Sequence, residues 1–170
     1  MKFLVLFLTM IPLCLPKNSL AQKKISYALY CNARFGYCIK YPDKILKPQR
    51  EAQNGDGRAF TDKRGDNVLL VFGSRNDDKK GDPIPIQKIY DLELKGGQFH
   101  EHPNRTITYS KLGKTFYVIS GIEDGKIYYQ KTFQLTGEND GYFAEAILTY
   151  DQTEKLTYDQ VSKDIFSSFK

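Results

Sequence analysis

The sequence predicts an α+β domain in which an antiparallel β-sheet is flanked by two helices. Three observations carry that expectation. Apolar and polar residues alternate through most of the chain, turn residues separate the alternating runs, and only two stretches switch to helical spacing. The order is several strands, a helix, four strands and a second helix, which argues for antiparallel pairing over a parallel, doubly wound sheet.

The alternation begins with Phe35, Tyr37, Ile39 and Tyr41, on one face of an extended segment that Pro42 ends. Residues 58–62 and 67–73 form a hairpin pair around Lys63-Arg64-Gly65-Asp66. The run Val68-Leu69-Leu70-Val71-Phe72 is apolar on both faces, as a covered central strand should be. The first helix is expected to start at Asp82 as its cap, to take Pro83 and Pro85 into its first turn and to present Ile86, Ile89 and Tyr90 as its apolar face. Gly96-Gly97 stops it. Phe116, Val118 and Ile122 then alternate up to Glu123-Asp124-Gly125-Lys126, whose Asp-Gly pair favours a tight hairpin. On the return strand, Ile127, Tyr129, Phe133 and Leu135 share one face and Tyr128, Gln130, Thr132 and Gln134 the other. Tyr128 is therefore expected to lie opposite the buried face and to offer an exposed ring for contacts. A further strand covers residues 142–150. The last helix carries Thr157 as cap, Gln160 three residues on and Leu156 placed to pack on Val161, a capping box with a hydrophobic staple. Its stripe is Tyr158, Val161, Ile165 and Phe169.

Residues 1–21 read as an export signal. Lys2 opens a run of apolar residues that reaches Leu15, which is too short to cross a bilayer as a helix. Ser19-Leu20-Ala21 supplies the small residues of a cleavage site before Gln22. Leu13 precedes Cys14 where a lipobox needs a small residue. The mature chain, 22–170, is the length of one domain with a single core, and no stable membrane span remains after cleavage. Loss of Lys2 and Lys17 takes the formal charge from +5 to +3, and basic residues form no run longer than a pair. That argues against a nucleic-acid partner. Cleavage also removes Cys14 and leaves Cys31 and Cys38, which should pair as a local disulfide in a periplasmic or extracellular compartment.

Tyr41-Pro42, Pro48, Asn54-Gly55-Asp56-Gly57-Arg58, Phe60, Gly65-Asp66 and Leu69-Leu70-Val71-Phe72-Gly73 together resemble a group of uncharacterised bacterial secreted proteins. The order of elements, with the ending Val161-Ser162-Lys163-Asp164-Ile165-Phe166-Ser167-Ser168-Phe169, resembles the PsbP-like fold, a curved antiparallel sheet in an α/β/α sandwich. The resemblance brings no catalytic residue. It implies binding, because members of that fold include an extrinsic photosystem II subunit, a nuclear-transport regulator and inhibitors of secreted toxins.

Candidate chemistry is sparse. In Asn54-Gly55-Asp56-Gly57-Arg58 the glycines free the backbone while Asn54 and Asp56 offer oxygens. This makes a candidate binding loop of Asn54, Asp56 and Arg58, or a tight connection anchored by Arg58. An EF-hand would need Glu where Gly65 stands. His100-Glu101-His102 places two histidines on one face of an extended segment, but two ligands do not make a zinc site. Ser74 and Ser120 have no partner base near them in sequence. The expectation is a non-catalytic secreted or periplasmic binding module that needs no metal or cofactor and has another envelope protein as its partner. Its concrete form is an inhibitor of a secreted toxin. The rival reading is a hydrolase built on His100, Glu101 and His102.

Overall fold

The computed structural model describes residues 25–75, 77–78, 80–96, 102–137 and 141–170. The expected signal over 1–21, Gly97, His100 and Glu101 lie outside these residues. Among the described residues, no helix is long and apolar enough to cross a membrane.

The architecture is α+β, an antiparallel sheet with one helix on each face. A two-stranded hairpin pairs β1 (Tyr27–Cys31) with β2 (Cys38–Pro42), and Cys31 faces Cys38 across it in a disulfide. The main sheet contains β3 (Lys47–Pro48), β4 (Gly57–Thr61), β5 (Asn67–Arg75), β6 (Arg105–Leu112), β7 (Phe116–Glu123), β8 (Lys126–Gln134) and β9 (Tyr142–Asp151). The spatial order is β3-β4-β5-β9-β8-β7-β6, and every neighbouring pair is antiparallel. The turn between β7 and β8 is the expected Asp-Gly one, with φ of 49° at Asp124 and 78° at Gly125.

Strand alternation divides the core in two. Ala144, Ala146 and Leu148 of β9 face the helix α2 (Lys155–Ser168), whose Tyr158, Val161 and Ile165 are all buried, together with Tyr37, Ile39, Phe60 and Leu69. The β1–β2 hairpin shares this side with α2. The chain end is tied to the hairpin, where the Cys38 amide donates to the Lys170 carbonyl (2.7 Å) and the Lys170 amide returns the bond (3.2 Å). Lys131 of β8 donates to the carbonyls of Phe166 (2.9 Å) and Phe169 (2.8 Å) at the end of α2. On the opposite face, Ile86 and Ile89 of α1 (Ile86–Leu94) pack on Tyr117, Ile119, Tyr128 and Phe143.

Four expectations are corrected. Helix α2 starts at Lys155, directly after a 3₁₀ turn over Gln152–Glu154. Thr157 is therefore inside the helix and caps nothing, and Leu156 is 96% exposed and cannot staple onto Val161. Helix α1 starts at Ile86 with no side-chain cap. The Asp82 amide instead donates to the Asp78 carboxylate (3.0 Å), closing a turn outside the helix. Tyr128 is fully buried, because α1 covers the face that alternation alone assigned to solvent. The apolar run in β5 is not covered throughout: Val68, Leu69 and Val71 are buried, but Phe72 is only half-buried and Leu70 is 42% exposed.

Candidate functional site

Helix α1 packs on β6, β7, β8 and the Phe143 end of β9, and no residue of β5 joins its cluster. Where it ends, the sheet face opens into a cleft of about 400 Å3 lined by Leu70 and Phe72 of β5, Gln130 of β8, Glu145 and Ile147 of β9, Glu93 of α1, Arg105 of β6 and the preceding His102. These positions meet because of register. Phe72 pairs with Glu145 and Glu145 with Thr132, while Leu70 pairs with Ile147 and Ile147 with Gln130. Residues far apart in sequence are thus neighbours on one face.

Glu145 is the polar centre of this cleft. Its Oε2 accepts from Thr132 Oγ1 (2.7 Å) and Gln130 Nε2 (2.9 Å), and Gln130 also donates to the Tyr117 hydroxyl (3.1 Å). Gln130 and Thr132 are each 2% exposed, so a buried polar network holds the carboxyl in place. Burial pushes the Glu145 carboxyl up to about 7, and the charge of Glu93 adds to the rise. The Thr132 and Gln130 hydrogen bonds and Arg105 oppose it without cancelling it.

Arg105 forms the second polar group. Its side chain is 4% exposed and binds Glu93 (3.1 Å) on one arm and Glu123 (3.0 Å) on the other. The guanidinium lies 4.6 Å from the centre of the Tyr128 ring. Glu123 also contacts His102 Nδ1. Arg105 Nε and the Tyr128 hydroxyl are buried without a hydrogen-bond partner among the described residues. Burial pushes the Tyr128 phenol up to about 12.

The cleft continues past Leu70 and Phe72 into a second depression of about 300 Å3, lined also by Arg50, Asp56, Gly57, Arg58 and Ala59. A larger hollow, about 610 Å3, lies between the hairpin and the end of α2, where Asp164 already accepts from the Tyr27 hydroxyl (2.6 Å).

The residues singled out from sequence are dispersed. In the 54–58 loop, Asn54 Nδ2 donates to Asp56 (2.7 Å), and Arg58 pairs with Glu51 and stacks 4.4 Å from the Tyr30 ring centre. Gly55 takes φ of 70°. A Cβ at Gly57 would stand 2.0 Å from the Val71 carbonyl oxygen, so the two glycines serve a turn and a close approach of strands. His102 reaches the cleft from the loop before β6, not from an extended strand. Ser74 and Ser120 do not line it. Among the described residues, no group of three His, Cys, Asp or Glu side chains converges to hold a metal ion. Sequence reasoning missed Glu145, Gln130 and Arg105. The signal that was available is Glu145 itself, a single acid inside Tyr142-Phe143-Ala144-Glu145-Ala146-Ile147-Leu148.

No protein-family model and no curated protein matches the chain. Among solved structures, the chain is similar to the solution structure of cyanobacterial PsbP (CyanoP) from Synechocystis sp. PCC 6803. The TM-score is 0.49 and the identity 16%, over 86% of this chain and 93% of that one.

Proposed function

We propose that this protein is a non-catalytic binding module acting in the periplasm or outside the cell, with another envelope or secreted protein as its partner. The open half of the sheet is the surface it uses. The observation that carries this reading is the exposure of Leu70 on β5, an interior strand, beside the half-buried Phe72 and Ile147. An antiparallel sheet can leave one face to solvent, but the outward positions are then ordinarily polar, and an uncovered apolar face rimmed by polar groups is the ordinary form of a contact surface. The disulfide within the hairpin suits an oxidising compartment. The PsbP-like placement belongs to this proposal. It is supported by the order of five strands, helix, four strands and helix, and by the sheet held between the two helices. Inhibition of a secreted toxin is the concrete form of such binding.

A photo-crosslinking residue at position 70, compared with one at the exposed hairpin-turn residue Lys63, tests the proposal in cells that secrete the protein. A discrete protein adduct from position 70 and none from position 63 is the expected result. No adduct from position 70, or the same adduct from both, overturns it.

A further inference from the structure

We infer that the Glu145 end of the groove seats an arginine or lysine side chain of the protein partner, with an apolar residue of the same segment lying over Leu70 and Phe72. This rests on the reading of the open face as the binding surface, and it adds the chemistry of the occupant.

Three observations lead to it. The first is hydrogen-bond capacity. Both donors that reach the Glu145 carboxyl, from Thr132 and Gln130, go to Oε2, which leaves Oε1 without a partner among the described residues. A carboxylate accepts about four hydrogen bonds. Fixed from behind by a buried network and unsatisfied in front, this one is arranged as an acceptor for a group that enters the cleft.

The second is charge. Among the described residues, the titratable groups around Glu145 are Glu93 from α1, Arg105 from β6, His102 from the preceding loop and the Tyr117 phenol of β7. Arg105 is already held by Glu93 and Glu123, and His102 by Glu123. The cleft therefore has an acid that no cation among the described residues pairs with, and a cation is what complements it.

The third is shape. Leu70, Phe72 and Ile147 make the rest of the lining apolar, which suits the methylene stem of a long basic side chain that delivers its charge at the tip. The second depression shares Leu70 and Phe72 with the cleft, so the surface runs on beyond what a single small amine would occupy. In an extended segment, residues i and i+2 point the same way. A basic residue and an apolar one two positions apart can then enter the cleft and cover Leu70 and Phe72 together.

The probe is the peptide acetyl-Ser-Arg-Ser-Leu-Ser-amide, titrated into the 15N-labelled mature chain and followed by amide chemical shifts. The comparison peptide carries citrulline in place of arginine, which keeps the shape and removes the charge. At neutral to mildly alkaline pH the arginine peptide shifts the amides of Leu70, Phe72, Gln130 and Ile147. The citrulline peptide binds about tenfold more weakly, the worth of one charge-assisted hydrogen bond. Glu145→Gln removes that difference between the two peptides, and so does lowering the pH to 5, where the carboxyl carries a proton. Equal binding of the two peptides overturns the inference, as does the absence of any shift at millimolar arginine peptide. In either case a position-70 adduct in cells would still stand, so the basic side chain can fail while the open face survives as the binding surface.

Discussion

A carboxyl in the middle of an apolar strand is costly, and at Glu145 the cost depends on pH. Its folded value of about 7 lies above the 4.5 of an ordinary glutamate. A group raised on folding contributes its full stability below the unfolded value and loses it as the pH climbs through the folded value. The melting temperature of the wild-type chain should therefore fall between pH 5 and pH 8, while Glu145→Gln should be flatter over the same range and equal to or above wild type at pH 8. One proton taken up on folding sets a ceiling of about 1.4 kcal/mol per pH unit, and the partial exposure of the carboxyl keeps the effect below it. Thermal melts of both proteins at half-unit pH steps read this directly. Parallel curves would show that the Gln130 and Thr132 bonds hold the carboxylate as well as water does.

Individual elements were legible in the sequence wherever period and turn chemistry agreed. The β4–β5 hairpin around residues 63–66, the Asp124-Gly125 turn and the stripe of Tyr158, Val161 and Ile165 are all present in the structure. Helix starts were not legible, because a cap motif is only a local preference. At α2 the 3₁₀ turn over Gln152–Glu154 leads the chain into helix before Thr157 can act. Of the four strands expected between the helices, β6 could not be placed, because as an edge strand its residues are mostly exposed and its alternation is weak. A substitution pair checks this account of α2. Thr157→Ala should change stability by less than about 0.5 kcal/mol, the surface value, where loss of a true cap would cost about 1 kcal/mol. Ile165→Ala, at a site with no exposure, should cost about 2–5 kcal/mol. Denaturant titrations of the two variants suffice, and a Thr157→Ala loss of a full kilocalorie would restore the cap.

At the scale of the whole molecule, the candidate site arises from topology more than from any motif. Strand β9, the last in sequence, inserts between β5 and β8, so Leu70, Gln130 and Glu145 meet although long stretches of chain separate them. Only pairing order could reveal that, and a single sequence does not print it. The same topology makes the two faces unequal. The face toward α2 and the hairpin is sealed over β5, while the face toward α1 is left open there, because the nine residues of α1 pack on β6 to β8 and the Phe143 end of β9 and do not reach β5. Two adjacent leucines measure that asymmetry. Leu69 is fully buried under the α2 side and Leu70 is 42% exposed on the other. Leu69→Ala should cost about 3–5 kcal/mol, through lost transfer free energy and the cavity left behind, whereas Leu70→Ala should cost under about 1 kcal/mol because water already reaches that side chain. Partner binding should respond in the opposite order, with Leu70→Ala weakening it while the fold stays intact. Comparable stability losses at the two sites would mean that β5 is covered on both faces, and neither the cleft nor the surface assigned to it would then exist.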